Sequence, residues 1–271
     1  MNNKRENLIT KITKTLGGLG FSLTKKAIEW LASEAEQELA KVPRIAIIGE
    51  TGVGKSTTLN VLFNAGAPID HIKPCTEESS EYVVVSEIEG KQGTLRIYDM
   101  PGIGKDTKSD LRFLDEYSRI LANCEVALWI LDASTRTLSQ VESSLRNIVY
   151  PSMSGFDKIV IALNKVDKIE PDNWNKKTNM PSTQQLQNIE ARVKNVKDRF
   201  KDTLQWTDPI IVAYSAKRHY RLGELIHAVI NACPSNRRWV LCDQVARASF
   251  EELIDPAIIE KLKRKNSSPQ N

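Results

Sequence analysis

The sequence predicts an α/β fold with three layers, in which a mostly parallel sheet of six strands lies between two layers of helices. The prediction rests on alternation: short β-branched runs, which favour strands, are separated by segments with helical periodicity. The predicted strands are 43–48, 81–88, 93–98, 125–131, 158–163 and 209–213. The predicted helices of this domain are 55–64, 107–122, 138–148, 184–200 and 221–232.

One pair of strands departs from this alternation. Only the turn-like segment "GKQG" at 90–93 separates the second strand from the third, which predicts an antiparallel hairpin. The other strands alternate with helices, so we expect them to be parallel and covered on both faces. Ligands of such sheets bind beyond the carboxyl ends of the strands. Residues 168–183 are polar and contain two prolines, which predicts a long loop.

Two extensions flank the α/β domain, which we place at 42–233. An N-terminal helical extension is predicted at 1–41, because apolar residues recur there near helical spacing. These helices have two interpretations: a hairpin packed on the main domain, or a helix that contacts a membrane surface or a partner. A short C-terminal helical tail is predicted at 234–271, and it ends in a basic cluster.

The composition excludes several classes of protein. The net charge of +4 is too small to indicate nucleic-acid binding by itself. The four cysteines include no C-x-x-C pair, so neither a zinc site nor a disulfide framework is predicted and a reducing, cytoplasmic location is expected. No apolar run approaches the roughly 18 residues that a membrane-spanning helix needs, so no transmembrane segment is predicted.

A glycine-rich segment, "GETGVGKST", follows the first predicted strand and matches the pattern G-x-x-x-x-G-K-[ST]. Its glycines let successive backbone N–H groups point at phosphate oxygens, and the following helix adds the positive end of its dipole. Lys55 would reach the β- and γ-phosphates, and the Ser56 hydroxyl would bind Mg²⁺. The pattern assigns nucleotide binding to Gly49, Glu50, Thr51, Gly52, Val53, Gly54, Lys55, Ser56 and Thr57.

A second motif, "DMPG", follows the third predicted strand. An aspartate at this point, Asp99, can hold the hydration shell of Mg²⁺, and the N–H of Gly102 can contact the γ-phosphate. A strand that simply ends in an Asp-x-Pro-Gly turn has the same sequence. This motif therefore indicates a nucleotide site only in combination with the other motifs.

The third motif, "NKVD", distinguishes guanine from adenine. The Asp167 carboxylate can accept hydrogen bonds from guanine N1–H and from the 2-amino group, whereas adenine has no 2-amino group and would leave a buried charge unpaired. Asn164 would brace the loop, and the stem of Lys165 would cover the base. A fourth motif, "SAK" at Ser215, Ala216 and Lys217, follows the last strand, and the Ala216 N–H would meet guanine O6.

With these four motifs in this order, the sequence resembles the translation-factor class of P-loop GTPases. It looks most like the Era-like branch of the TrmE-Era-EngA-septin-like superfamily and, within it, the small bacterial YfjP-type GTPases. The resemblance covers 43–232 and implies Mg²⁺-dependent hydrolysis of GTP to GDP. It also implies that Thr76 joins Ser56 and Asp99 at the metal, and that Lys55, Thr76 and Gly102 act in catalysis.

The resemblance is incomplete at two catalytic positions. Ile103 follows the D-x-x-G motif, and it cannot orient a water molecule as the glutamine of Ras-like proteins does. Gly52 stands where many Era-like relatives have an asparagine that helps to hold K⁺, so strong K⁺ activation is not expected here. No general base is assigned. Candidates for a base or for an arginine acting in a second copy are Asp106, Asp110, Arg112 and Arg119.

Three functions are compatible with the motifs. The first is a GTP-hydrolysing switch, slow on its own, that acts on an unknown protein or ribonucleoprotein effector. The second is a membrane-associated GTPase activated by nucleotide-dependent dimerisation, and the third is a nucleotide-binding module with negligible turnover. RNA binding by a KH domain, as in Era, is not expected, because that domain needs a G-x-x-G loop and Gly223 is the only glycine after Gly155.

Overall fold

The computed structural model describes residues 24–63, 79–88, 91–102, 114–135, 138–153, 155–156 and 158–234, together with residues 6, 9, 10, 13 and 14. It divides into two compact units. One contains helix α1 (Lys25–Ala40), which agrees with the helix predicted there, and the other begins at Pro43. Among the described residues, no helix is both long and apolar enough to cross a membrane.

The second unit is built on a six-stranded sheet, as predicted. The strands of this unit are β1 (Arg44–Ile48), β2 (Ser80–Ile88), β3 (Lys91–Asp99), β4 (Val126–Asp132), β5 (Ile159–Asn164), β6 (Trp174–Asn175), β7 (Met180–Pro181) and β8 (Ile210–Ala213). The six-stranded sheet has the order β2-β3-β1-β4-β5-β8. Strands β2 and β3 form the predicted antiparallel hairpin, and every other neighbouring pair is parallel.

The helices of this unit agree with the prediction in kind and differ at their ends. They are α2 (Lys55–Phe63), α3 (Leu114–Leu121), α4 (Ser139–Ser144 and Tyr150–Met153, joined by the π-helical stretch Leu145–Val149), α5 (Thr183–Leu204) and α6 (Leu222–Ala232). The predicted helix 138–148 therefore continues to Met153. Of the predicted helix 107–122, residues 107–113 lie outside the described part of the chain.

Apolar side chains cover the sheet on both faces. Alternate residues of β1 face opposite ways: Ile45 and Ile47 join α2 and α6 in one cluster, while Ala46 and Ile48 join α3, α4 and α5 in another. Residues 126–131 of β4 are all buried, because this central strand is covered on both sides. The predicted three-layer arrangement is therefore confirmed.

The segment 168–183 is not a plain loop as predicted. Strands β6 and β7 pair within it as a small antiparallel hairpin, with Trp174 opposite Pro181. Trp174 is buried and packs edge-on against Tyr220, with the ring centres 5.0 Å apart. Because two-residue strands are too short to show alternation, the prediction missed a hairpin that depends on this distant aromatic contact.

Candidate nucleotide-binding site

The phosphate loop, Gly49–Gly54, joins the end of β1 to the start of α2. Its three glycines have φ angles of 149°, 83° and 97° at Gly49, Gly52 and Gly54. A Cβ atom would lie 2.3 Å from the Ile130 carbonyl oxygen at Gly49, and 2.4 Å from the Asn164 Nδ2 at Gly54. Two of the glycines are thus required by the close approach of neighbouring chain as well as by their backbone conformation.

Lys55, the first residue of α2, turns its side chain back onto the phosphate loop. Its Nζ donates hydrogen bonds to the carbonyl oxygens of Gly49, at 3.0 Å, and Glu50, at 3.1 Å, and the residue is buried. The Lys55 ammonium group is therefore held against the backbone of the phosphate loop. Ser56 and Thr57 follow in the first turn of α2, where both are half-buried.

The D-x-x-G turn lies against the phosphate loop. Asp99 is buried at the end of β3, next to β1 in the sheet. A Cβ atom at Gly102 would lie 2.8 Å from Thr51 Oγ1, so the glycine packs directly on the loop. Tyr117 Oη donates to the Pro101 carbonyl oxygen at 2.5 Å and supports the turn from α3. The contact of Gly102 with a γ-phosphate stays a prediction.

Several residues singled out in the sequence lie outside the described part of the chain, so their roles stay predictions. They are Thr76, Ile103, Asp106, Asp110 and Arg112. Arg119 is described, and it lies exposed on α3. Within the described residues, no group of three or more His, Cys, Asp or Glu side chains is arranged to hold a metal ion. The predicted Mg²⁺ ligands are of a different kind, since two of the three are hydroxyl groups.

Asn164 links three loops with one side chain. Its Nδ2 donates to the Val53 carbonyl oxygen at 2.9 Å, and its Oδ1 accepts from the N–H groups of Lys165 at 2.8 Å and Ala216 at 3.0 Å. These contacts are the ones that the bracing role expected of Asn164 would require. The Ala216 N–H, which we expect to meet guanine O6, donates to Asn164 in this structure, and its contact with the base stays a prediction.

The Asp167 carboxylate is buried and held by the S-A-K loop, Ser215–Lys217. Ser215 Oγ donates to Asp167 Oδ1 at 2.6 Å and accepts from the Arg218 N–H at 3.1 Å. Ser215 and Ala216 are buried, whereas Lys217 is exposed. The orientation of the carboxylate is therefore set from a loop that lies 48 residues away in the sequence.

Comparison with known proteins agrees with this geometry. Residues 44–165 match the family described as 50S ribosome-binding GTPase. The chain has the α/β P-loop GTPase fold and, over this domain, is similar in sequence to Era-type GTPases. The uncharacterised protein YfjP of Escherichia coli K12 is 26% identical to it over 192 residues, which cover 70% of this chain and 62% of YfjP.

Two solved structures of Era are similar to the same GTPase domain. Era of Aquifex aeolicus bound to GDP and AlF4⁻ is 26% identical with a TM-score of 0.52. Era in complex with MgGDPNP and a stretch of 16S ribosomal RNA is 25% identical with a TM-score of 0.53. Each alignment covers 72% of this chain and 58% of the Era chain, so this chain spans less than two thirds of these relatives.

An aspartate that the sequence analysis missed connects two loops of the GTPase domain. Lys165, in left-handed backbone conformation at φ 64°, donates from Nζ to the Gly52 carbonyl oxygen at 2.6 Å and to Asp132 Oδ2 at 2.8 Å. Burial raises the pKa of Asp132, but hydrogen bonds from Lys165 and Ser134 outweigh it and hold that pKa below its ordinary value. The sequence feature that could have indicated this residue is its position, since Asp132 is a polar residue at the end of the buried strand β4.

Side chains of helix α5 donate hydrogen bonds to the loop after β4 and to the N-K-x-D segment. Arg192 donates from Nε to the Ala133 carbonyl oxygen at 3.1 Å and from Nη2 to the Thr135 carbonyl oxygen. Gln185, seven residues earlier and so on the same side of the helix, donates to backbone carbonyls beside Asp167. Neither residue stood out in the sequence, because polar residues on a surface helix usually face solvent.

A buried hydroxyl pair links helix α2 to the residue that follows the edge strand β8. Thr58 Oγ1 and Tyr214 Oη lie 2.6 Å apart, and Thr58 Oγ1 also contacts the Gly54 carbonyl oxygen at 2.8 Å. Burial raises the pKa of the Tyr214 phenol, so it remains protonated and able to donate at any ordinary pH. The contact joins the end of the phosphate loop to the residue that precedes the S-A-K loop.

Proposed function

We propose that the protein binds GTP and GDP and hydrolyses GTP with Mg²⁺, as a molecular switch of the Era-like type. The observation that carries the proposal is the set of hydrogen bonds made by Asn164. They join the phosphate loop, the N-K-x-D segment and the S-A-K loop into one unit. A nucleotide, with its phosphates at the phosphate loop and its base at the other two loops, would contact all three of them.

The choice of guanine follows from the chemistry of Asp167. One carboxylate oxygen accepts from Ser215, which leaves the other to accept from guanine N1–H and from its 2-amino group. Adenine has no 2-amino group, and its N1 is an acceptor, so it would leave a buried carboxylate oxygen unpaired. An unpaired buried charge is more unfavourable than a merely missing contact, which is why this arrangement rejects adenine nucleotides.

The residues near the phosphate loop suit Mg²⁺. Ser56 supplies a half-buried hydroxyl in the first turn of α2, and Asp99 supplies a buried carboxylate on the strand beside β1. Oxygen donors of this kind are the ligands that Mg²⁺ prefers. When bound, Mg²⁺ neutralises charge on the β- and γ-phosphate oxygens. We assign a third ligand to Thr76 and a parallel role in charge neutralisation to Lys55.

Turnover by the isolated chain should be slow. Ile103 offers no group that can orient the attacking water, so Lys55, Gly102 and the metal site are the contributions that this chain makes to catalysis. Unassisted switch GTPases turn over at about 10⁻⁴ to 10⁻² per second, and a supplied arginine adds about 10³- to 10⁵-fold. The missing group comes from an effector, from a second copy of the chain, or from the segment 103–110.

The effector is proposed to be a protein or a ribonucleoprotein. Support for the second class comes from Era, whose structure with 16S ribosomal RNA is similar to this domain. The comparison concerns the GTPase domain alone, since the alignment covers 58% of the Era chain.

Calorimetric titration tests the nucleotide assignment directly. GDP is expected to bind at least about 100-fold more tightly than ADP, because only guanine satisfies the Asp167 carboxylate. GTP and ATP are then compared in a turnover assay with Mg²⁺, in which only GTP should give phosphate. Equal affinity for GDP and ADP would contradict the guanine assignment, and absence of phosphate release from GTP would contradict hydrolysis.

The cation dependence of turnover is expected to follow position 52. Replacing NaCl by KCl at constant ionic strength should change the wild-type rate only modestly, because Gly52 offers no side-chain ligand. Gly52→Asn should gain K⁺-stimulated turnover, since a Cβ atom there meets nothing within 4 Å and asparagine tolerates positive φ better than most residues. Gly52→Ala is the control without an amide. A large K⁺-specific acceleration of the wild type would contradict this prediction.

A further inference from the structure

Gln185 is a long polar side chain in a fully buried position. It lies in the first turn of α5, with a relative exposure of 0%, next to the exposed Gln184. The turn is fixed by its N-cap, because Ser182 Oγ accepts from the Gln185 N–H at 3.2 Å. Glutamine is seldom fully buried, so its contacts should show what the side chain supplies at this position.

The side-chain amide of Gln185 holds the turn that carries Asp167. Its Nε2 donates to the Ile169 carbonyl oxygen at 2.8 Å and to the Asp167 carbonyl oxygen at 3.3 Å. Its Oε1 is buried and has no hydrogen-bond partner among the described residues. A buried amide oxygen without a partner is unfavourable. The contribution of this side chain to the fold therefore lies in the hydrogen bonds that its Nε2 donates.

Asp167 is thereby held at two separate points. Ser215 fixes one oxygen of its carboxylate, and Gln185 fixes its backbone through the carbonyl group. Both supports are buried, and they come from two different parts of the chain, Ser215 from the loop after β8 and Gln185 from α5. With the backbone and one carboxylate oxygen fixed, the second carboxylate oxygen has a single available direction.

We propose that Gln185 is a positioning residue for guanine selectivity, which acts through Asp167 without touching the nucleotide. By fixing the Asp167 backbone, it keeps the free carboxylate oxygen aligned with N1–H and the 2-amino group of guanine. The inference rests on the proposed function, since it concerns how a guanine base is chosen. Loss of the Gln185 donor should weaken recognition of the 2-amino group more than recognition of the phosphates.

The test compares GDP with inosine diphosphate, which lacks only the 2-amino group. The measured quantity is the ratio of the two Kd values for the wild type, Gln185→Met and Gln184→Met. Methionine has a similar length but no donor, and Gln184 is the exposed neighbour of the same residue type. The wild-type ratio is expected to be about 10- to 100-fold, the size of one hydrogen bond to a charged group.

The ratio should fall to less than about a fifth of that value in Gln185→Met and stay unchanged in Gln184→Met. Because both Kd values come from the same sample, the ratio does not depend on the folded fraction, and Gln185→Leu gives the same readout if the methionine variant is insoluble. Equal weakening of both nucleotides, with the ratio unchanged, would show a merely structural role and overturn the inference. A wild type that binds no GDP would overturn the proposed function itself.

Discussion

Lys55→Ala is expected to weaken GTP binding by at least about 100-fold. The ammonium is buried and already held inside the phosphate loop by the carbonyl oxygens of Gly49 and Glu50, so it meets the β- and γ-phosphates with little reorganisation. Alanine removes this charge and leaves the phosphates with the backbone N–H groups of the loop and the proposed Mg²⁺ ion. Binding is measured by titration with a fluorescent GTP analogue.

The control for this experiment is Lys201→Ala, an exposed lysine on α5, which should bind GTP as the wild type does. Thermal unfolding followed by circular dichroism separates loss of binding from loss of fold. Lys55→Ala should retain the fold, because the side chain donates to carbonyl oxygens of the adjacent loop, and the sheet and both apolar clusters do not include it. Wild-type affinity in Lys55→Ala would show that the phosphate loop is not the site.

Asp167→Asn is expected to change the nucleotide preference from guanine to xanthine. Ser215 Oγ donates to Asp167 Oδ1, and an asparagine oxygen can accept the same bond, so the new amide nitrogen should face the base. That nitrogen donates to the C2 carbonyl of xanthine, whereas it opposes the 2-amino group of guanine, which is itself a donor. GTP affinity should fall by about 100-fold or more while xanthosine triphosphate affinity rises.

Competition between GTP and xanthosine triphosphate for the same protein sample measures the change in preference in one experiment. Asp172→Asn is the matched control, because the same change of charge is made at an exposed position a few residues away. Unchanged preference for GTP in Asp167→Asn would place base recognition elsewhere. Equal loss of both nucleotides would show that the variant has lost the local fold instead of its selectivity.

The sequence alone was sufficient for the sheet and for the residues of the phosphate loop. Buried runs such as those of β4 and β5 are continuous and β-branched, so their type follows from local composition, and each of their predicted ends lies about one residue from the observed end. The hairpin of β2 and β3 followed from the short turn between the two strands. The motifs predicted which strand ends carry chemistry, because parallel strands bring their carboxyl ends to one edge.

The tertiary structure decided how those strand ends are held together. The hydrogen bond from Asn164 to the Val53 carbonyl oxygen spans 111 residues, and the ion pair of Lys165 with Asp132 spans 33. The hairpin of β6 and β7 and the burial of Gln185 likewise depend on distant partners. Such contacts leave no period in the sequence, since a polar residue looks the same whether it faces solvent or a buried carbonyl group. Only packing of the chain, which removes water from around these groups, makes each donor find a specific acceptor.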